Sequence, residues 1–210
     1  MKENTVQIRQ PHFPFLQENG EAVYGYDQEW YQTEWQRRAG CGPTTSAFLS
    51  DYILCRDGIL DASQRAGQKD CLDSMERLWN YVTPSRGGLY KTRWLYEGLQ
   101  QYLDDCRPGL YEVRMLSVYP FHIARPTVRE TAAFIYDALA EDGPIAFLNR
   151  NDGGEPELYT WHWVPLIGMK QEAGMYRCTC FDEKKVCHFS LDRWLERTSL
   201  GGGFVSVHKK

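Results

Sequence analysis

The spacing of apolar positions changes near the middle of the chain, from a helical period to an alternating one. Downstream of AGCGPTT, Phe48 with Tyr52 and Leu49 with Ile53 form i,i+4 apolar pairs, which predict a helix. Pro43 suits its first turn, where a missing N–H costs nothing, and Gly58 is the expected stop. Two further helices are predicted over about 69–81 and 91–105, separated by the loop TPSRGG. YEVRMLSV is a strand candidate, and a fourth helix over about 127–140 is halted by EDGP. The remainder is strand-like: PIAFLN, YTWHWVPLIGM, MYRCTCF and FVSVHK. SLDRWLER is a short helix between the last two of these, with Ser190 as N-cap. At the other end TVQIRQ reads as a short strand and QPHFPF as irregular. Helices dominate the first half and strands the second. The expected fold is α+β, a helical lobe packed on an antiparallel sheet. One domain is expected over 1–210, mainly helical over 1–110 and mainly sheet over 111–210.

Composition fits this picture and narrows the function. The 210 residues are 42% apolar and 14% aromatic, enough for a large core in one domain of ordinary size. A net charge of -4 argues against nucleic acid as a partner, since such proteins usually carry a basic face. No apolar run reaches 18 residues, so no membrane span is expected, and MKENTVQIRQ lacks the apolar core of a secretory signal. Seven scattered cysteines, an odd number, are unlike a disulfide framework. Thiols in a reducing cytoplasm are the simpler reading.

Two of these residues stand where chemistry can happen. Cys41 falls at the predicted start of a helix, where the helix dipole and a neighbouring imidazole would lower a thiol's pKa. Gly40 and Gly42 flank it and leave room for a substrate carbonyl to approach the backbone. The Cys41 N–H is also placed to donate to a developing oxyanion. Position alone leaves open a buried, inert Cys at a helix start, because free Cys is often buried. His162 stands in a strand-like run and alternates onto one face with Val164 and Leu166. It suits a base at the edge of a cleft, or a satisfied structural His.

The segment KQEAG, 170–174, reads as the turn of a hairpin. If the turn centres on Glu172, Asp182 falls directly opposite His162 on one face, with Cβ atoms about 5 Å apart. Cys178 and Cys180 then share that face, opposite Leu166 and Val164, as core thiols. A carboxylate at 182 would orient the imidazole and stabilise its protonated form. A slip of one residue would break the pairing. Local sequence alone also allows Asp182 to be an ordinary turn residue ahead of EKK.

Together these residues resemble a known family. AGCGPTTSAFLSDYI is similar to the CGP helix start of papain-like cysteine peptidases of the bacteriocin-processing, double-glycine-leader type and their stand-alone relatives. HWVPLIGM resembles the family's His strand, GPIAFLN the strand before it, and FSLDRWLER its late short helix. FDEKK stands where the family usually has Asp-Pro, so Glu183 is a departure. A helical insert between Cys41 and the sheet is another.

The resemblance implies a papain-like fold and hydrolysis of a peptide or related amide bond through a thioester. In it Cys41 is nucleophile, His162 base and Asp182 orienting carboxylate. It also implies a Gln upstream of the Cys that helps bind the oxyanion; Gln36, five residues before Cys41, is preferred over Gln32. No cofactor or metal is implied, and the partner is a peptide or protein substrate. The same residues would serve an amidase or acyltransferase, and an idle member of the fold would be a binding module. The spacing of Cys178, Cys180, Cys187 and His188 is unlike the common zinc knuckle. RNDGGEPE, 150–157, is a polar loop just ahead of the His strand, read as a hairpin loop that could border the groove.

Overall fold

A computed structural model of the chain describes residues 4–9, 16–18, 21–65 and 67–210. The irregular QPHFPF segment lies outside the described residues. Strands β1 (Asn4–Gln7), β2 (Leu16–Glu18) and β3 (Glu21–Val23) come first. Helices α1 (Glu34–Ala39), α2 (Cys41–Arg56), α3 (Gln68–Trp79) and α4 (Thr92–Cys106) follow. Then come β4 (Tyr111–Val118), α5 (Val128–Ala140), β5 (Ile145–Asn149), β6 (His162–Glu172) and β7 (Met175–Asp182). The chain ends in β8 (Lys185–Ser190), α6 (Leu191–Arg197) and β9 (Gly202–Lys209). The architecture is α+β: six helices and a seven-stranded sheet in the order β4-β9-β5-β6-β7-β8, with β1 added alongside β6. Every pairing in the sheet is antiparallel.

Helix α2 is the axis of the molecule. It has no exposed polar face, since Gly42 through Leu54 are all buried, the short polar side chains of Thr44, Thr45, Ser46, Ser50 and Asp51 included. A helix without a polar face belongs in a core. Its flanks are covered by α3, α4 and the β5–β6 face of the sheet. Helices α3, α4 and α5 instead carry one apolar stripe each, which is why their periodicity is plain in the sequence. Thr127 and Glu130 form a reciprocal capping box that starts α5, and Ser190 Oγ accepts from Arg193 N at 3.2 Å to start α6. Among the described residues no helix is long and apolar enough to cross a membrane.

The sheet positions its site-bearing ends in one row. Val118 pairs with Gly202, Gly202 with Asn149, and Asn149 with His162. Close strand approach fixes Gly202: a Cβ there would stand 1.9 Å from Leu148 O. The GGG run at 201–203 is therefore the entry to β9.

The β6–β7 hairpin departs from its expected register. The closing pair is Glu172–Met175, with Ala173 at φ 50° and Gly174 at φ 84°, the two positive φ values of a two-residue type I′ turn. The turn thus lies between residues 173 and 174 rather than on Glu172. By itself this would carry Asp182 to the face away from His162. A β-bulge between Leu166 and Gly168 adds one residue, Ile167, and restores the parity. The bulge is held by β1, since Ile8 N donates to Ile167 O at 2.9 Å. Beyond it Leu166 pairs with Cys180, and continuing that register sets Asp182 opposite Val164, diagonal to His162 on the same face. Cys178 pairs with Met169, not Leu166, and both cysteines are buried core thiols.

Candidate active site

Cys41 is the first residue of α2. Its N-cap, Gly40, provides no side-chain cap, so the first N–H groups of the helix are left to the thiol and to solvent. The flanking glycines serve packing more than substrate access. A Cβ on Gly40 would meet Gln36 O at 2.4 Å and the Tyr31 ring at 2.5 Å, and one on Gly42 would meet Leu89 at 2.5 Å. The absent side chains let Tyr31 and the loop bearing Leu89 close over the helix start. That loop is tied to the His strand, because Trp163 Nε1 donates to Leu89 O at 2.6 Å.

His162, the first residue of β6, hydrogen-bonds Asp182 through Nε2 at 2.8 Å from Oδ1. This leaves Nδ1 free to serve the Cys41 sulfur, which borders the same pocket. Burial alone would push the Cys41 thiol up. The hydrogen bond and charge of His162, with the backbone N–H groups of Trp163 and Gly42, outweigh it and hold the thiol below its ordinary value. Burial likewise opposes a charge on His162, but the hydrogen bonds to Asp182 and Cys41 prevail and raise it to about 10. His162 is therefore an imidazolium at neutral pH, and the Cys41 thiol beside it ionises more readily than an ordinary thiol.

Asp182 ends β7 because the chain reverses there. Glu183 at φ 45° and Lys184 at φ 65° make a second type I′ turn, closed by the pair Asp182–Lys185. Proline cannot take a positive φ, so the departure from Asp-Pro at 183 is what this turn requires.

A pocket of about 40 Å³, room for little more than a water, opens between Cys41, His162 and Asp182. Asp27, Gln28, Glu29, Trp163, Pro165, Phe181 and Glu183 also line it. Gln36 does not. It sits in the first turn of α1, where Oε1 accepts from Thr33 in a capping box and Nε2 donates to Glu76 at 2.7 Å. Gln32 is exposed and its carbonyl accepts from Arg37. The amide that reaches the pocket belongs to Gln28, whose Oε1 is buried with no hydrogen-bond partner among the described residues. Sequence reasoning passed over Gln28 because it lies thirteen residues before Cys41, in a single 3₁₀ turn capped by Asp27. The orphaned amide is visible only once the chain is folded.

Asn149, the residue opposite His162, is committed elsewhere. Its Nδ2 donates to Tyr159 O at 2.8 Å and its Oδ1 accepts from Trp194 Nε1 at 2.9 Å. Among the described residues no group of three His, Cys, Asp or Glu side chains is placed to hold a metal. No protein-family model and no curated protein matches the chain, so the reading of this site rests on its geometry and chemistry.

Proposed function

We propose that the chain is a papain-like cysteine peptidase that hydrolyses a peptide or related amide bond in a peptide or protein substrate. The observation that carries the reading is the gathering of Cys41, at the start of a buried helix, with His162 and Asp182 around one pocket, His162 Nε2 lying 2.8 Å from Asp182 Oδ1. Cys41, as its thiolate, attacks the carbonyl carbon to form a tetrahedral oxyanion. The Cys41 N–H stabilises it. Gln28 supplies a side-chain donor, since rotating its terminal amide presents N–H where Oε1 now stands; Gln36, tied to Glu76, is set aside for this role. His162 gives its Nδ1 proton to the leaving amine, and the thioester forms. A water then loses a proton to His162 and attacks the thioester, releasing the acid and restoring Cys41. Asp182 holds the ring in the tautomer and orientation both steps need. The odd number of scattered cysteines supports a reducing compartment such as the cytoplasm.

The test is digestion of a randomised peptide library by the wild-type protein and by Cys41→Ala. New termini from the first and none from the second are expected. Equal cleavage by both would overturn the assignment.

A further inference from the structure

Immediately before His162 the backbone does something costly. Trp161 has φ 57°, a left-handed conformation that bulky side chains rarely adopt and that costs on the order of 1–3 kcal/mol. It is nonetheless 52% exposed, so burial of its ring does not repay the strain. The conformation aims the indole at Tyr90, whose ring lies 6.5 Å away and nearly perpendicular. The turn that carries it is fixed from beneath by the bond from Asn149 Nδ2 to Tyr159 O.

On this ring sits a cation. The Arg150 guanidinium lies over Trp161, with Cζ 5.5 Å from the ring centroid. Arg150 directly follows Asn149, the register partner of His162, and its backbone N–H is fixed to Gly201 O at 3.2 Å. Its Nε is buried and has no hydrogen-bond partner among the described residues. A buried guanidinium donor without an acceptor is costly unless something brings one. The pocket over Cys41, by contrast, is lined by Asp27, Glu29, Asp182 and Glu183. An acidic side chain is repelled there and attracted to the shelf.

The position of the shelf tells which part of a substrate meets it. The leaving amine takes its proton from His162, so the residue that follows the scissile bond lies against the imidazole. Trp161 and Arg150 flank His162 along the chain and across the sheet. We propose that Arg150, seated on Trp161, is the specificity-determining residue of this side and receives a carboxylate, so that the preferred substrates are peptides with Asp or Glu directly after the scissile bond. The inference rests on the peptidase reading and names its substrate class. The carboxylate accepts from the two terminal N–H groups in the paired geometry guanidinium favours, while the side-chain methylenes lie on the indole.

The experiment reads new N-termini from a peptide library randomised on both sides of every bond, followed by matched peptides with Glu or Lys after the cleaved bond. Wild type is expected to yield new N-termini enriched in Asp and Glu. Its kcat/KM is expected to favour Glu over Lys by roughly tenfold or more, the size of a charge-assisted hydrogen bond. Arg150→Gln should erase the preference and Arg150→Glu should reverse it toward Lys, mostly through KM. Iodoacetamide labelling of Cys41 at pH 6, run on each variant, should stay at the wild-type rate and so shows that the fold and the nucleophile are intact. Cleavage without acidic enrichment, or a preference unchanged in Arg150→Glu, overturns the proposal and leaves the peptidase reading standing. No cleavage by wild type, with Cys41 still labelled, overturns the peptidase reading and the proposal together.

Discussion

At the scale of the residue, what distinguishes Cys41 from the other six thiols is its company. Cys178 and Cys180 are buried and both are pushed up, Cys178 by burial and Cys180 by its hydrogen bond with Cys187 and then by burial. Cys41 is held down by His162 and two backbone N–H groups. At pH 6 an ordinary thiol is only about 0.3% thiolate, so iodoacetamide should modify Cys41 well before the others, and His162→Ala should slow that labelling. Peptide mapping by mass spectrometry reads both; equal labelling of several cysteines would refute the ion pair. The same pair sets a pH profile. Activity should rise as the Cys41 thiol ionises, at a pH below the ordinary thiol range, and fall as His162 loses its proton near pH 10. Asp182 is the larger of the two hydrogen-bonding influences that raise His162. Asp182→Asn should therefore move the alkaline limb of kcat/KM to lower pH and reduce activity less than Cys41→Ala, which should abolish it. An unmoved alkaline limb would show that Asp182 does not govern the imidazole.

At the scale of the element, the fold was legible wherever one periodicity ran unbroken. YEVRMLSV is β4 residue for residue, and α2, α3, α4 and α5 fall within a few residues of their expected bounds. Four short elements were missed, the strands β2 and β3 of three residues each, helix α1 and strand β8. Helix α1 has six residues and one buried side chain, too few turns to show a stripe. Strand β8 was hidden because the turn before it, Glu183–Lys184, contains neither Gly, Asn nor Pro. The site was legible in its Cys, His and Asp but not in their geometry. Asp182 meets His162 through a two-residue turn and a bulge that together replace the simple register the sequence suggested. Gln28 carried no local signal at all. The unusual turn after Asp182 makes a prediction of its own. Glu183 at φ 45° is strained, and Asn tolerates that conformation better. Glu183→Asn should raise stability by about 0.5–1 kcal/mol in urea unfolding with unchanged kcat/KM. Glu183→Pro cannot adopt the turn, so it should destabilise by more than about 1 kcal/mol and lower kcat as Asp182 shifts. A Pro variant as active and stable as wild type would mean that the turn does not position Asp182.

At the scale of the whole molecule, one contiguous core joins α2 to the sheet, and the cleft opens at the end of that shared core. The two ends of α2 have different duties. Its N-terminus presents Cys41, and its C-terminal half is pinned to the segments after β1 and before β5 through Tyr52, whose hydroxyl shares its one proton between Asp142 Oδ1 at 2.7 Å and Arg9 O at 2.8 Å. Tyr52 is fully buried and Asp142 nearly so. Tyr52→Phe keeps the ring's packing but takes a donor from a buried carboxylate, which should cost about 1–3 kcal/mol of stability. Position 52 lies eleven residues along the helix from Cys41, roughly 16 Å along the axis, so the surroundings of Cys41 are untouched. Labelling of Cys41 at pH 6 in the absence of denaturant should therefore proceed at the wild-type rate. Because the core is shared, the urea midpoint read by loss of near-ultraviolet circular dichroism and the midpoint read by loss of selective Cys41 labelling should fall together and by the same amount. If the two midpoints separate in Tyr52→Phe, the helical part and the sheet unfold independently, and the cleft between them is not held by one cooperative core.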